Sequence, residues 1–224
     1  MPIRRLLFVA APEVQVRLRP VLESAGRWEI AAANTVLEVL ATTATYKPDL
    51  FLLSDSLDAR QILESLRDRQ LLARIPAFVL TDGDPQRFLA LGASRVLTPD
   101  PATLPLLLRN AYEESRLRLA LGHIRSLGGD AFVREMADLF RDNAPKQLAT
   151  ARQCLAAGDL EAVRRTCHSL KSSAGNIGAA AVQDLAERAE HLAHRCEPAP
   201  LPQLLNDIDD TLERFLGRLP QVGC

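Results

Sequence analysis

Five short apolar runs in the first hundred residues, each followed by a stretch of helical periodicity, leave few folds open to this chain. The runs are 6–10, 28–32, 49–53, 77–80 and 95–97. Helical spacing occupies 14–25, 35–44, 59–72, 85–92 and the residues from 104 onward, with Pro20 weakening the middle of the first. Strands this apolar are buried on both faces. Five of them alternating with helices predict an α/β fold, a doubly wound five-stranded parallel sheet. Such sheets carry their sites at the carboxyl ends of the strands. Those ends are Ala10-Ala11, Ser54-Asp55, Thr81-Asp82 and Thr98-Pro99.

The second half has no strand pattern. Helices are predicted at 131–141, 145–156, 160–173, 180–194 and 201–219, the last four forming an all-α four-helix up-down bundle. Pro145 is expected to start or kink its helix. The proline-rich segment 197–202 breaks the chain before the last helix, and the tail 221–224 is expected to fray. Helical pattern is nearly continuous over 104–127, so the last helix of the first domain runs into the second, and the domains are placed at 1–118 and 119–224. The leucines of this stretch are foremost core residues, with a homodimer contact as their alternative use.

Composition narrows the function. Net charge is −1 and aromatics are 4%, which argues against nucleic acid as a partner. No apolar run approaches the roughly 20 residues of a membrane span, and the N-terminus lacks a signal-peptide layout. Cys154, Cys167, Cys196 and Cys224 are scattered, which reads as reduced cytoplasmic thiols.

The chemistry concentrates in one helix. Asp159 is placed to cap it, and Leu160, Val163, Cys167, Leu170, Ala174 and Ile177 form its apolar stripe. His168 lies off the stripe, one turn from Arg164, Lys171 and Ser172. A solvated surface histidine is the plain interpretation. Against it, like-charge repulsion from a basic face favours the neutral, nucleophilic imidazole. Lys171 can hold a phosphoryl group, and the small residues Ser172, Ser173, Ala174 and Gly175 leave room for a bulky partner. No carboxylate stands one turn away to orient the ring. A rival use is metal binding through His191, His194 and Cys196, but the stripe turns Cys167 inward and His168 outward, so no metal site is expected.

The run Cys167-His168-Ser169-Leu170-Lys171-Ser172-Ser173-Ala174-Gly175-Asn176-Ile177-Gly178-Ala179 resembles the motif of the histidine phosphotransfer (HPt) domain, and the likeness extends from Leu127 to Leu219. It implies that His168 takes the phosphoryl group and Lys171 helps to hold it. Ser172 stands where that family usually has glycine, so transfer is expected to survive more slowly or with narrower partner choice. Residues 3–118 resemble a response-regulator receiver in the words Pro48-Asp49-Leu50-Phe51-Leu52-Leu53, Ile75-Pro76-Ala77-Phe78-Val79-Leu80-Thr81 and Leu91-Gly92-Ala93. The receiver's site residues are mostly missing. Ala10 and Ala11 replace its two acids, Ser54 its acceptor aspartate and Thr98 its lysine; Thr81 alone matches. A degenerate, non-phosphorylatable receiver follows. A one-residue slip that made Asp55 the acceptor would leave the other three positions wrong.

The resemblances imply a two-component phosphorelay intermediate, a phosphoryl carrier without kinase activity of its own. Its partners would be receiver domains of a hybrid histidine kinase and of a response regulator, which bring the Mg²⁺ and dock on Arg164, Arg165, Ser172 and Gly175. The other class is a non-catalytic adaptor or inhibitor that binds kinases or regulators.

Overall fold

The computed structural model describes residues 4–25 and 28–219, so the tail expected to fray lies outside the described residues. The chain divides into two compact units, one ending at Ser115 and the other beginning at Arg116.

The first unit is a five-stranded, wholly parallel sheet: β1 (Arg4–Val9), β2 (Trp28–Ala33), β3 (Leu50–Ser54), β4 (Ala77–Leu80) and β5 (Arg95–Leu97), in the order β2-β1-β3-β4-β5. Every residue of β3 and β4 is buried, as strands covered on both faces require. Leu7, Val9, Phe51, Leu53 and Val79 share one cluster with Leu63 of α3 (Ala59–Asp68) and Phe88 of α4 (Gln86–Leu89). Leu6, Phe8, Leu50, Leu52 and Phe78 alternate with them and are wholly buried on the opposite face. The remaining helices are α1 (Pro12–Ser24) and α2 (Val36–Tyr46).

Two helices of the first unit stop short of the expected bounds. Pro20 sits inside α1 without ending it. The third helix stops at Asp68 rather than 72, because Gln70 turns left-handed at φ 57° and the chain continues as a 3-10 turn, Leu71–Ala73. The fourth shrinks to four residues before Gly92, which has φ 100°.

The second unit begins within α5 (Leu104–Ala156) and continues through α6 (Leu160–Ile177), α7 (Ala180–His194) and α8 (Leu201–Leu216). α5 is broken only at Gly128 and Gly129. Gly129 has φ 69° and ψ −168°, a region essentially closed to side-chain-bearing residues. Helices 131–141 and 145–156 are not separate, and Pro145 neither starts nor breaks one. Val133, Ala137, Phe140, Ala144, Leu148 and Ala151 form one buried stripe that passes Pro145, which is exposed. Continuous burial of that stripe outweighs the one hydrogen bond a proline forfeits.

α6 starts where Asp159 Oδ1 accepts from the Ala162 N–H, at 2.8 Å. Its buried residues are Val163, Cys167, Leu170, Ala174 and Ile177. It ends at Gly178, left-handed at φ 81°, where a Cβ would stand 2.6 Å from the Arg116 carbonyl oxygen and 2.8 Å from Leu117 Cα. The end of α6 thus lies directly on the backbone of α5, a contact only glycine permits.

Two glycines separate strain from close packing. Gly158 is also left-handed (φ 74°), but its Cβ position is open. Gly158→Ala is expected to cost about 1 kcal/mol, and Gly178→Ala a further ~1–3 kcal/mol from overpacking. Urea titration of the full chain, followed by helical circular dichroism, measures both. Equal midpoints for the two variants would rule out the packing account.

Candidate functional site

α6 and α7 run antiparallel through the tight turn at Gly178 and Ala179, and that hairpin builds the site. His168 projects from α6 with its side chain 57% exposed. Its Nδ1 is 2.8 Å from Oε1 of Glu190, on α7. The other oxygen, Oε2, is 2.7 Å from Lys171 Nζ, and Glu187 Oε1 is 3.8 Å from the same ammonium. Glu190 is the bridge. Its side chain is only 17% exposed, and burial pushes its carboxyl up. Hydrogen bonds from Lys171 and His168 more than offset this and hold it below the usual carboxylate range. An ionised carboxylate only accepts hydrogen bonds. The contact therefore fixes a hydrogen on Nδ1, and in the neutral imidazole the lone pair is then on Nε2.

The sequence had suggested a basic face without an orienting carboxylate. That holds for α6 alone; α7 corrects it by bringing Glu190 and Glu187 against His168 and Lys171. Both carboxylates were missed. The available signal was the hairpin itself: His168 and Glu190 lie 22 residues apart with Ala179 midway, and the pairs Lys171–Glu187 and Gly175–Gln183 share that midpoint.

The other site positions are also set by packing. Arg164 clamps Glu161 with two bonds of 2.8 and 2.7 Å, and Arg165 reaches the same carboxylate at 3.4 Å. The bonds from Arg164 pull Glu161 down to about 2. Ser172 is exposed and donates to the His168 carbonyl at 3.0 Å. Gly175 is half-buried against α7, where a Cβ would meet Gln183 Nε2 at 3.0 Å. Ala174 is buried and Ser173 half-buried. Of the four small residues expected to admit a partner, Ser172 is the one left open beside the ring; the smallness of Ala174 and Gly175 serves helix packing. On the flank of α6 toward α5, Arg165 and Ser169 line a polar groove of ≈ 350 Å³ with Lys146 and Gln147.

Cys167 points inward, and burial pushes its thiol up to about 12. Among the described residues, no group of three or more His, Cys, Asp and Glu is placed to hold a metal ion. Cys196, at the end of α7, is exposed.

At the carboxyl ends of the strands in the first unit, Ala10 is fully buried and Ala11 precedes α1. Ser54 is buried, and its hydroxyl accepts from the Ser56 N–H at 3.2 Å. Asp55, the next residue, is exposed and accepts a hydrogen bond from the buried Thr81 hydroxyl, which in turn accepts from the Gly83 N–H at 2.9 Å. Thr98 is exposed. Ala10, Ala11, the occupied Ser54 hydroxyl and the Asp55 carboxylate engaged by Thr81 make a poor set of ligands for Mg²⁺.

A family model described as Hpt domain matches residues 135–218. No curated protein matches the chain significantly. Among solved structures, the chemotaxis protein CheY4 of Vibrio cholerae is 20% identical over 49% of this chain and 99% of its own, with a TM-score of 0.43. A CheY-like receiver domain protein of Methanospirillum hungatei JF-1 is 20% identical over 50% and 96%, TM-score 0.42. The response regulator ChrA of a heme-sensing two-component system is 17% identical over 84% and 100%, TM-score 0.41.

Two measurements test the site's electrostatics. A carboxyl held below its unfolded value stabilises the fold fully above that unfolded value, and the contribution is lost as pH falls through the lower folded one. The stability difference between the wild type and Glu190→Gln is thus expected at neutral pH and should shrink as pH drops below about 4.3, the ordinary glutamate value. Thermal melting across that range measures it. Alkylation at about pH 8, mapped by mass spectrometry, should modify Cys196 rapidly and spare Cys167.

Over residues 135–218, the helical unit is thus similar to the Hpt domain.

Proposed function

We propose that this protein is a cytoplasmic phosphorelay intermediate in which His168 accepts a phosphoryl group from the aspartyl phosphate of a partner receiver and passes it to a second receiver. The observation that carries this is the Glu190 carboxylate bonded to His168 Nδ1. It selects the tautomer whose Nε2 can attack. In the step, the Nε2 lone pair forms an N–P bond as the anhydride P–O bond breaks, and the aspartate leaves as a carboxylate. The ring then carries positive charge on its Nδ1–H side, and Glu190 stabilises it there. Lys171, two-point tethered to Glu190 and Glu187, is the cation within reach of the phosphoryl oxygens.

Mg²⁺ is assigned to the partner receiver, as is most of the catalysis. Arg164, Arg165 and Ser172 form the docking face around the ring. The first unit serves as a non-phosphorylatable regulatory or dimerisation module, which its donor-poor crevice supports. That same crevice favours a second reading for the first unit, an adaptor that binds kinases or regulators without chemistry.

Phosphotransfer from a panel of labelled phospho-receivers tests the relay. Wild type should gain acid-labile, alkali-stable label, and His168→Gln none. Lys171→Ala should label more slowly, by about tenfold to a hundredfold. Undiminished label on His168→Gln would overturn the assignment. No label from any donor, with the protein folded and binding some of them, would favour the adaptor.

A further inference from the structure

We propose that the groove between α5 and α6 is the partner-selecting part of the docking surface and takes an acidic polypeptide segment of the receiver, with Lys146 as the discriminating residue. This rests on the relay role of His168 proposed above.

The helix that carries His168 has two flanks, and they differ in charge. Toward α7, Arg164 and Lys171 stand with Glu187 and Glu190, two cations against two carboxylates. Toward α5, Lys146 and Arg165 line the groove of ≈ 350 Å³, and no carboxylate does. Lys146 is exposed and, among the described residues, forms no ion pair. Asp142, one helical turn before it, is not part of the groove lining. Arg165 reaches Glu161 only at 3.4 Å, and Arg164 already clamps that carboxylate with two shorter bonds. This flank therefore keeps a surplus of positive charge that the fold does not use.

Three hydroxyls narrow the kind of anion that fits. Thr150 Oγ1 donates to the Lys146 carbonyl at 2.9 Å, Thr166 Oγ1 to the Ala162 carbonyl at 2.8 Å, and Ser169 Oγ to the Arg165 carbonyl at 3.1 Å. Each has spent its one hydrogen and offers the groove lone pairs. An inorganic anion, rich in acceptors and poor in donors, would face those lone pairs with its own. A polypeptide segment brings both parts: carboxylates for Lys146 and Arg165, and backbone N–H groups for the hydroxyl oxygens. Leu139 is 53% exposed and lies one turn before Asn143, a lining residue of the groove on α5. It gives the groove an apolar end that a protein covers and a small ion does not.

Position ties the groove to the acceptor. Arg165 lies one turn before His168 and Ser169 directly after it, so a protein seated over the ring toward α5 covers the groove in the same contact. Charge at such a rim governs encounter and the choice between partners. Receivers with an acidic segment in that place are accepted, and those with a basic one are repelled.

Binding and phosphotransfer, both measured on the full-length chain with a panel of receivers, separate the groove from the relay. K146E reverses the charge in the groove; R214E makes the same reversal on exposed α8, which lines neither flank of α6. For the receivers that bind, K146E is expected to raise the dissociation constant about tenfold, and the half-saturating concentration for labelling of His168 by the same factor. The maximal labelling rate should stay within about twofold, since the groove holds none of the reacting atoms. R214E should match the wild type. At about 0.5 M salt the loss in K146E should shrink, and inorganic phosphate should compete no better than chloride at equal ionic strength. Stronger competition by phosphate overturns the polypeptide as occupant. Unchanged binding by K146E, or an equal loss in R214E, with label still forming on His168, overturns the groove and leaves the relay standing. Binding weakened by K146E alone, without label at His168 from any donor, overturns the relay and leaves the groove. Binding by no receiver overturns both.

Discussion

Antiparallel packing of α6 on α7 places a carboxylate from one helix between an imidazole and an ammonium from the other. The position depends on backbone contacts at the turn. Gly178 lets α6 end in van der Waals contact with α5, and Gly175 lets the Gln183 side chain lie against α6. With both in place, Glu190 reaches His168 and Lys171 together. Neither residue could be oriented by its own helix, whose neighbouring turns carry arginine, lysine and serine. The site is a property of the hairpin.

The crevice of the first unit shows the opposite case. The sheet has the strand order and burial that put a site at the carboxyl ends of β1, β3 and β4. The polar groups there bond to one another: Thr81 to Asp55, the Gly83 amide to Thr81, and the Ser56 amide to Ser54. Such internal satisfaction stabilises the loops and leaves few acceptors for a ligand. Asp55 is the neighbour that takes up Thr81, so the carboxylate in this crevice serves as a structural partner to a buried hydroxyl.

Much of this was legible in the sequence, and the boundary is physical. Strand positions followed from apolar runs, because burial on both faces admits little else; β4 and β5 fall at the expected residues. The stripe of α6 and its cap at Asp159 were legible because helix periodicity and capping are local. Pro145 misled because a local breaker was weighed without the buried stripe that overrides it. Glu190 was missed for a related reason. Its role comes from a residue 22 positions away, and a pattern search one turn to either side of His168 cannot reach it. Residues such as Ala174 and Gly175, chosen for smallness, look the same whether they admit a partner or a neighbouring helix.

In the relay proposed above, a carrier must give up what it accepts, and the geometry around His168 fits that demand. A phosphoryl group gripped by several unengaged cations would be stored. Here Arg164 is bound bidentately to Glu161, and Lys171 is shared between Glu187 and Glu190. To reach a phosphoryl group on Nε2, Lys171 must exchange ion pairs already made, so the net gain is smaller than the full charge interaction. Glu190 works on the other side of the ring. In the proposed relay it would stabilise the positive imidazole that attack produces, while its own negative charge would oppose the incoming phosphoryl anion. Opposed contributions of this kind would keep the acceptor and donor states of the proposed relay close in free energy, the condition under which a phosphoryl group passes in either direction.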